Sequence, residues 1–271
     1  MLSNAEVAAR KIIFDAGLDE IQHLRQANLK ELIQWRGAFY EESQMNGKDG
    51  RIVSHGGKSI ITINSSISDA GKKRFTAAHE LGHFELHKGL AVVADTQYEL
   101  CNWYQSGSHE KEANEFASEL LIPTALFKGQ CEGQKFGPKL LMSLAETFLV
   151  SRTAAILKFQ RAGNHPVMVV CVQHNRVKWW KMSKSMEEAE HDYIEGWVKY
   201  RVAFTDKLPP PPHSIVGQLF NKQNKYDTSD RHQQIEKSVW FQTKGEEDPK
   251  MFEFCHYIPS YDFALSVIWA N

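Results

Sequence analysis

Residues 74–89 read RFTAAHELGHFELHKG, with histidines at 79, 83 and 87 and a glutamate, Glu80, after the first of them. On an α-helix, residues four apart stand nearly one above the other, so His79 and His83 can offer imidazole nitrogens to a single ion. Glu80 is offset beside them, which suits a general base that takes a proton from water polarised by the ion without ligating the ion itself. His87 continues the row, but a further turn adds about 6 Å of rise, too far for the same ion. A supporting hydrogen bond or helix termination fits it better. Phe75, Ala78, Gly82 and Leu86 recur on the same face, so the histidine pair is expected to face the interior. A mid-helix glycine costs about 1 kcal/mol relative to alanine, so Gly82 suggests something packed close against the backbone.

Two histidines do not complete a metal site, and the next helical segment, HEKEANEFASELLIP, is where a third ligand is sought. Its apolar residues Ala113, Phe116, Ala117, Leu120 and Leu121 define one face, with Glu110 about 60° from its centre and Glu112, Glu115 and Glu119 about 100° or more away. A carboxylate facing a core is costly unless paired or metal-bound, so ligation would explain Glu110. His109 flanks the same face and is the rival, and Glu110 could instead be a first-turn acid favoured by the helix dipole. Asn114, one turn on, is placed to orient a ligand through a hydrogen bond.

These segments need elements to hold them. A capping box from Ser3 to Glu6 opens a first helix that stops at Gly17, and residues 18–37 suggest a second helical region. SIITIN, bounded by Gly56-Gly57 and Ser65-Ser66, reads as a strand leading into the histidine helix. That helix should run from an N-cap at Ser68 or Asp69 to Gly89, and the next from 109 to 122, closed by Pro123. KFGPKLLMSLAETFLVSRTAAILKFQR has helix, short break and helix, the spacing of a helix-turn-helix. PVMVVCVQHNRVKWWKM suggests a β-hairpin around His174-Asn175, residues 185–200 a charged helix, LPPPPHS an exposed connection, and ALSVIWA a closing strand. YDTSDRHQQIEKSVW suggests a loop followed by a strand. The organisation expected is α+β: a mostly helical domain with a small sheet over residues 1–130, a helix-turn-helix-like segment over 131–162, and an α/β accessory domain over 163–271.

Composition narrows the role. With 32 Lys+Arg against 33 Asp+Glu in 271 residues, no global field points to nucleic acid or an anionic membrane. Four cysteines, Cys101, Cys131, Cys171 and Cys255, form no CxxC pair, which argues against a cysteine-built zinc site and a dense disulfide framework. The first residues lack an apolar stretch of about 7–15 residues, and no run approaches the roughly 18 of a spanning helix. A cytoplasmic protein without a membrane partner is expected.

RFTAAHELGHFELH followed by EKEANEFASELLIP resembles the ImmA/IrrE family of bacterial metallo-endopeptidases. The resemblance implies a small zincin-like fold of the gluzincin kind, with His79, His83 and Glu110 as zinc ligands and Glu80 as the base. It extends upstream to GRIVSHGGKSIITIN, which matches the strand pair before the active helix. Zincins pair substrate backbone with a strand beside the metal helix, so Ile60, Ile61, Thr62 and Ile63 are the expected substrate strand. The resemblance further implies a protein substrate, an XRE-type helix-turn-helix repressor, whose cleavage relieves repression of mobile-element or stress-response genes. For the final hundred residues it reaches only to the idea of an accessory domain, GAF-like in some members. Ile122 stands where Met is common before the proline.

The donor set suits zinc best, with manganese as the alternative ion. Tyr98, Tyr104 and Arg74 are the options for stabilising the oxyanion. Two readings from other classes compete. Residues 135–161 carry five basic residues, Lys135, Lys139, Arg152, Lys158 and Arg161, against one acid, Glu146, so a DNA-binding regulator is one. Yet SRTAAILKF offers few groups able to read bases, and a bundle packed on the peptidase domain or docking the repressor is the simpler reading. The other is a ligand sensor with a structural metal, suggested by Trp179, Trp180, Trp197, Trp240 and Trp269, although strand aromatics more often fill a core.

Overall fold

The computed structural model describes residues 2–87, 94–96, 108–190, 200–221, 231–243 and 248–270. They form an α+β fold in two compact units, Met1–Gln130 with Ser143–Ala154, and Cys131–Met142 with Ala155–Asn271. Among the described residues no single helix is long and apolar enough to cross a membrane.

The first unit opens with α1 (Asn4–Asp15), started by the capping box: Ser3 Oγ accepts from the Glu6 amide, and the Glu6 carboxylate accepts from the Ser3 amide. Its stripe Ala5, Ala9, Ile12 and Ile13 is buried. Two short helices follow, α2 (Ile21–Gln26) and α3 (Leu29–Trp35), then β1 (Phe39–Ser43), the hairpin β2 (Gly50–His55) and β3 (Lys58–Asn64), α4 (Ala70–Leu86) and β4 (Ala94–Thr96). The strands form one sheet in the order β1-β3-β2-β4, with β1 parallel to β3 and the other pairs antiparallel.

This order corrects the substrate-strand expectation. Ile60, Ile61, Thr62 and Ile63 pair with β1 on one side and β2 on the other, so β3 has no open backbone edge to offer a peptide. The strand itself was readable from its β-branched run. Its neighbour β1 was not, because FYEES carries little strand signal and its parallel pairing depends on distant residues.

Asp69 caps α4 by accepting from the Lys72 amide. From Phe75 to His83 every residue is buried, so the helix has no wet side there, and the one-sided stripe expected from the sequence understates its enclosure. The helix contacts β2 and β3, and also α1, α3 and α5 (Ser108–Leu121). It ends at Leu86, with His87 in the C-cap position; the expected stop at Gly89 lies outside the described residues. Beyond Pro123 the sequence reading missed α6 (Thr124–Cys131).

Next come α7 (Pro138–Phe148) and α8 (Arg152–Ala162), bent by 108° at a three-residue break, within the range of a helix-turn-helix. Leu149 in that break has a positive φ of 53°, a conformation costing an L-residue about 1–2 kcal/mol. Arg25 Nη1 donates to the carbonyls of Glu146 and Thr147 at 2.6 and 2.9 Å, tying the end of α7 to α2. Along α8, Thr153 and every residue from Ala155 to Gln160 are buried, which leaves little of this helix to enter a DNA groove. Residues 143–154 cluster with the first unit and the rest of 131–162 with the second.

The second unit holds β5 (Val167–Gln173), β6 (Arg176–Met182), α9 (Lys184–Glu190), α10 (Ile215–Asn221), β7 (Arg231–Glu236), β8 (Lys250–Ile258) and β9 (Phe263–Trp269). The order β6-β5-β9-β8-β7 is antiparallel throughout. His174 and Asn175, at φ 51° and 57°, make the hairpin turn expected between β5 and β6. Trp240, Met186, Val216 and Leu219 pack with the sheet's buried residues into one core, while Cys171 and Cys255 are buried and not in a disulfide. Glu253 lies within this interior. Its carboxylate accepts from the amides of Ile215 and Val216 at 2.9 and 3.2 Å, from Trp240 Nε1 at 3.1 Å, and from Ser266 Oγ. Burial pushes its pKa above the ordinary carboxylate value, against the pull of these four donors.

Candidate metal centre

The crossing of α4 and α5 sets the geometry. A Cβ built on Gly82 would lie 3.1 Å from Ala113 Cα, 3.1 Å from Phe116 Cδ1 and 3.2 Å from Ala113 O, so two backbones meet where the glycine sits. The crossing brings Glu110, one turn before Ala113, over the two histidines. Glu110 Oε2 lies 3.2 Å from His79 Nε2 and Glu110 Oε1 lies 3.2 Å from His83 Nε2, while the two Nε2 atoms are 3.0 Å apart. Among the described residues, His79, His83 and Glu110 are a group able to hold a metal ion.

Hydrogen bonds on the far side of each ring fix which nitrogen faces inward. Asn114 Oδ1 accepts from His79 Nδ1 at 2.9 Å, leaving Nε2 of that ring with a lone pair. His83 Nδ1 lies 3.1 Å from His87 Nδ1, and His87 Nε2 lies 3.0 Å from Glu112 Oε2. The carboxylate can only accept, so His87 carries its proton on Nε2 and takes one from His83 through Nδ1. His83 is then also left with a lone pair on Nε2. Two bare nitrogens and a carboxylate about 3 Å apart repel one another unless positive charge lies among them, and tetrahedral zinc holds such ligand atoms about 3.3 Å apart. The residues present therefore fit the ion.

Hydrogen bonding with His79, and next with His83, holds the Glu110 carboxyl well below the ordinary carboxylate range, against the opposing effect of burial. That pull requires a proton on the facing Nε2 atoms; with both nitrogens bare, a bound cation takes its place in favouring the carboxylate. Burial lowers the pKa of His87, outweighing Glu112, which favours the charged ring. A neutral His87 is what its acceptor role requires.

Glu80 is completely buried. It lies against β2 at Gly50, where a Cβ would come within 2.6 Å of Glu80 Oε1 and 2.7 Å of Thr76 Cγ2. Gly50 thus leaves the space that the Glu80 carboxylate fills.

Sequence reasoning named His79, Glu80, His83, Glu110, Asn114 and His87; the structure links His79, His83, Glu110, Asn114 and His87 through close polar contacts, while Glu80 follows His79 on α4 and is buried against Gly50. His109 is exposed, and its ring rests 4.4 Å from that of His87, apart from the His79, His83 and Glu110 group. Arg74 Nη1 donates to Ala27 O at 3.2 Å, which ties that guanidinium to the α2–α3 connection; Tyr98 and Tyr104 lie outside the described residues. Two members of the site were missed. Glu112 was set aside as off the apolar face, and its spacing from His87, 25 residues away, gives no signal. Gly50 has the signal of an ordinary strand or turn glycine. Glu119, also set aside, is buried because Arg10 Nε at 2.8 Å, Thr124 N at 3.2 Å and Thr124 Oγ1 at 2.6 Å all donate to it.

A buried helix carrying HExxH, backed by a small sheet and joined by a glutamate from the next helix, has the arrangement of a metallopeptidase centre. Residues 39–159 match the IrrE N-terminal-like domain, Peptidase_M78, and this part of the chain belongs to the ImmA/IrrE metallopeptidase family. The second unit's sheet lies beyond the matched residues. Among curated proteins none matches the sequence. A solved structure described as a Mycobacterium tuberculosis transcriptional regulator shares the fold over 99% of this chain and 77% of its own, with a TM-score of 0.63 at 14% identity.

Proposed function

We propose that the chain is a zinc-dependent endopeptidase, and that its protein substrate is an XRE-type helix-turn-helix repressor cleaved in the cytoplasm during a regulatory response. The observation that carries the peptidase reading is the convergence of His79 Nε2, His83 Nε2 and the Glu110 carboxylate, with Glu80 buried at the position after His79 on the same helix. His79, His83 and Glu110 would hold the ion; manganese is the alternative occupant. When bound, zinc would polarise a peptide carbonyl and lower the pKa of water. Glu80 would serve as the general base for the attacking water and return the proton to the leaving amine. Asn114 holds His79 in the tautomer that presents Nε2.

With β3 internal, the substrate's extended backbone is assigned instead to β4. Among the described residues β4 pairs only with β2, and its Thr96 is in register with Gly50, the residue against Glu80. The repressor is the part supported by family membership alone, and burial of α8 disfavours the chain itself as the DNA reader.

The test is incubation with purified XRE-type helix-turn-helix repressors, with and without a chelator. Cleavage should need metal, and Glu80→Gln should keep one zinc per chain while lowering turnover by at least a hundredfold, the scale of a general base. Undiminished cleavage by Glu80→Gln would overturn the mechanism. Failure to cut the repressor while other peptides are cut would remove only that substrate.

A further inference from the structure

We infer that Glu112 and His87 form a positioning relay that fixes the tautomer and orientation of His83, so that this ligand is prepared from behind by a second imidazole and a carboxylate. The inference rests on the metal-binding reading above but concerns residues that do not reach the ion. Glu112 Oε2 accepts from His87 Nε2 at 3.0 Å, and His87 Nδ1 accepts from His83 Nδ1 at 3.1 Å. Each neutral ring has one proton, so a single acceptor at the outer end dictates the direction of both bonds. The relay also joins the ends of two elements. His87 caps α4, Glu112 lies in the first turns of α5, and the bond between them closes the same helix pair that Gly82 and Ala113 bring together.

The two ligands are therefore supported unequally. His79 is held by Asn114, a neutral amide one turn beyond Glu110. His83 is held by a chain ending in a charge, which raises the basicity of its inward nitrogen. The His87 ring is buried, with 5% of its side chain exposed, whereas Glu112 is 45% exposed. Solvent can replace Glu112 in part and His87 hardly at all.

The experiment uses the full chain. Long-range proton–nitrogen NMR on the metal-free protein reads the tautomers, and competition with a chromophoric chelator reads zinc affinity. The wild type should show His83 protonated at Nδ1 and His87 at Nε2. His87→Leu should mix the His83 tautomers and weaken zinc binding about ten- to a hundredfold, the usual effect of losing such a partner. Glu112→Leu should weaken it less. His87→Gln should restore much of the affinity, because its amide oxygen can accept from His83 while its nitrogen donates to Glu112. The relay is overturned if His87→Leu keeps wild-type affinity and an unchanged His83 signature, or if Gln rescues no better than Leu. If the wild type takes up no zinc at all, the metal reading fails instead, and the nitrogen signatures of the metal-free protein still decide the relay.

Discussion

Replacing Gly82 with alanine sets two effects of known sign against each other. Helix propensity favours alanine in mid-helix by about 1 kcal/mol. The added methyl would sit 3.1 Å from both Ala113 Cα and Phe116 Cδ1 and 3.2 Å from Ala113 O, whereas relaxed carbon contacts lie at about 3.5–4.0 Å. The helices must therefore separate by roughly half an ångström. Two of the three opposing atoms are α5 backbone, which no rotamer change can move, and Ala113 and Phe116 are fully buried. Overpacking of this kind costs about 1–3 kcal/mol, so the net change should run from neutral to about 2 kcal/mol of destabilisation. The effect on the site should be clearer than the effect on stability. Ala113 is one turn from Glu110, so moving α5 outward carries the carboxylate away from two histidines that stay on α4. Zinc affinity should fall about tenfold, which is about 1.4 kcal/mol. Urea denaturation of the metal-free protein and chelator competition measure the two separately. If the variant were about 1 kcal/mol more stable and bound zinc like the wild type, propensity would have won and the close approach would have no part in the site.

Gly50→Ala should push the Glu80 carboxylate aside without touching a ligand. Zinc should bind within about twofold while turnover falls about a hundredfold, the scale of a 1 Å misplacement; loss of zinc from this variant would refute the separate placement of base and ligands. In the second unit, Glu253 has a folded-state pKa raised above 4.5, so its contribution to stability is full below that value and shrinks as pH rises through the folded value. Glu253→Gln does not titrate, so wild-type stability relative to this variant should decline from pH 5 to pH 8, read by hydrogen exchange of β8 amides, and an increase would refute the sign.

The parts of the site that were legible share one helix or one helical face. His79, Glu80 and His83 are fixed by the 3.6-residue period, and Glu110 by its angle to the apolar residues of α5. Asn114 followed from the same angle. What stayed hidden depends on pairs far apart in the chain. Glu112 reads as a solvent-facing acid until the end of α4 is placed beside it, and Glu119 does so until Arg10, 109 residues away, is brought to it. Strand topology has the same character. The run at 60–63 announces a strand, but whether that strand is internal depends on β1, whose five residues alternate too weakly to be read. In the second unit the hairpin at 174–175 and the closing strand were readable from turn chemistry and β-branched runs, whereas β8 was missed because Phe, Met and His at mixed spacing fit neither period well, and α10 because its seven residues, about two turns, are too few to show a period.

These features together place the donor atoms before any ion arrives. Gly82 lets α5 approach, and the approach delivers Glu110. Asn114 on one side and His87 with Glu112 on the other remove the protons that would otherwise occupy the two Nε2 atoms. Gly50 leaves room for the base without contributing an atom to it. Each support acts on a different degree of freedom: interhelical distance, ring tautomer, or carboxylate position. Such a division explains why α4 is enclosed from Phe75 to His83. A helix held by sheet on one side and helices on the other cannot rotate to relieve repulsion between two lone pairs and a carboxylate. The repulsion therefore stays in the folded protein, where a bound cation relieves it, so packing remote from the ligands acts on the affinity of the centre.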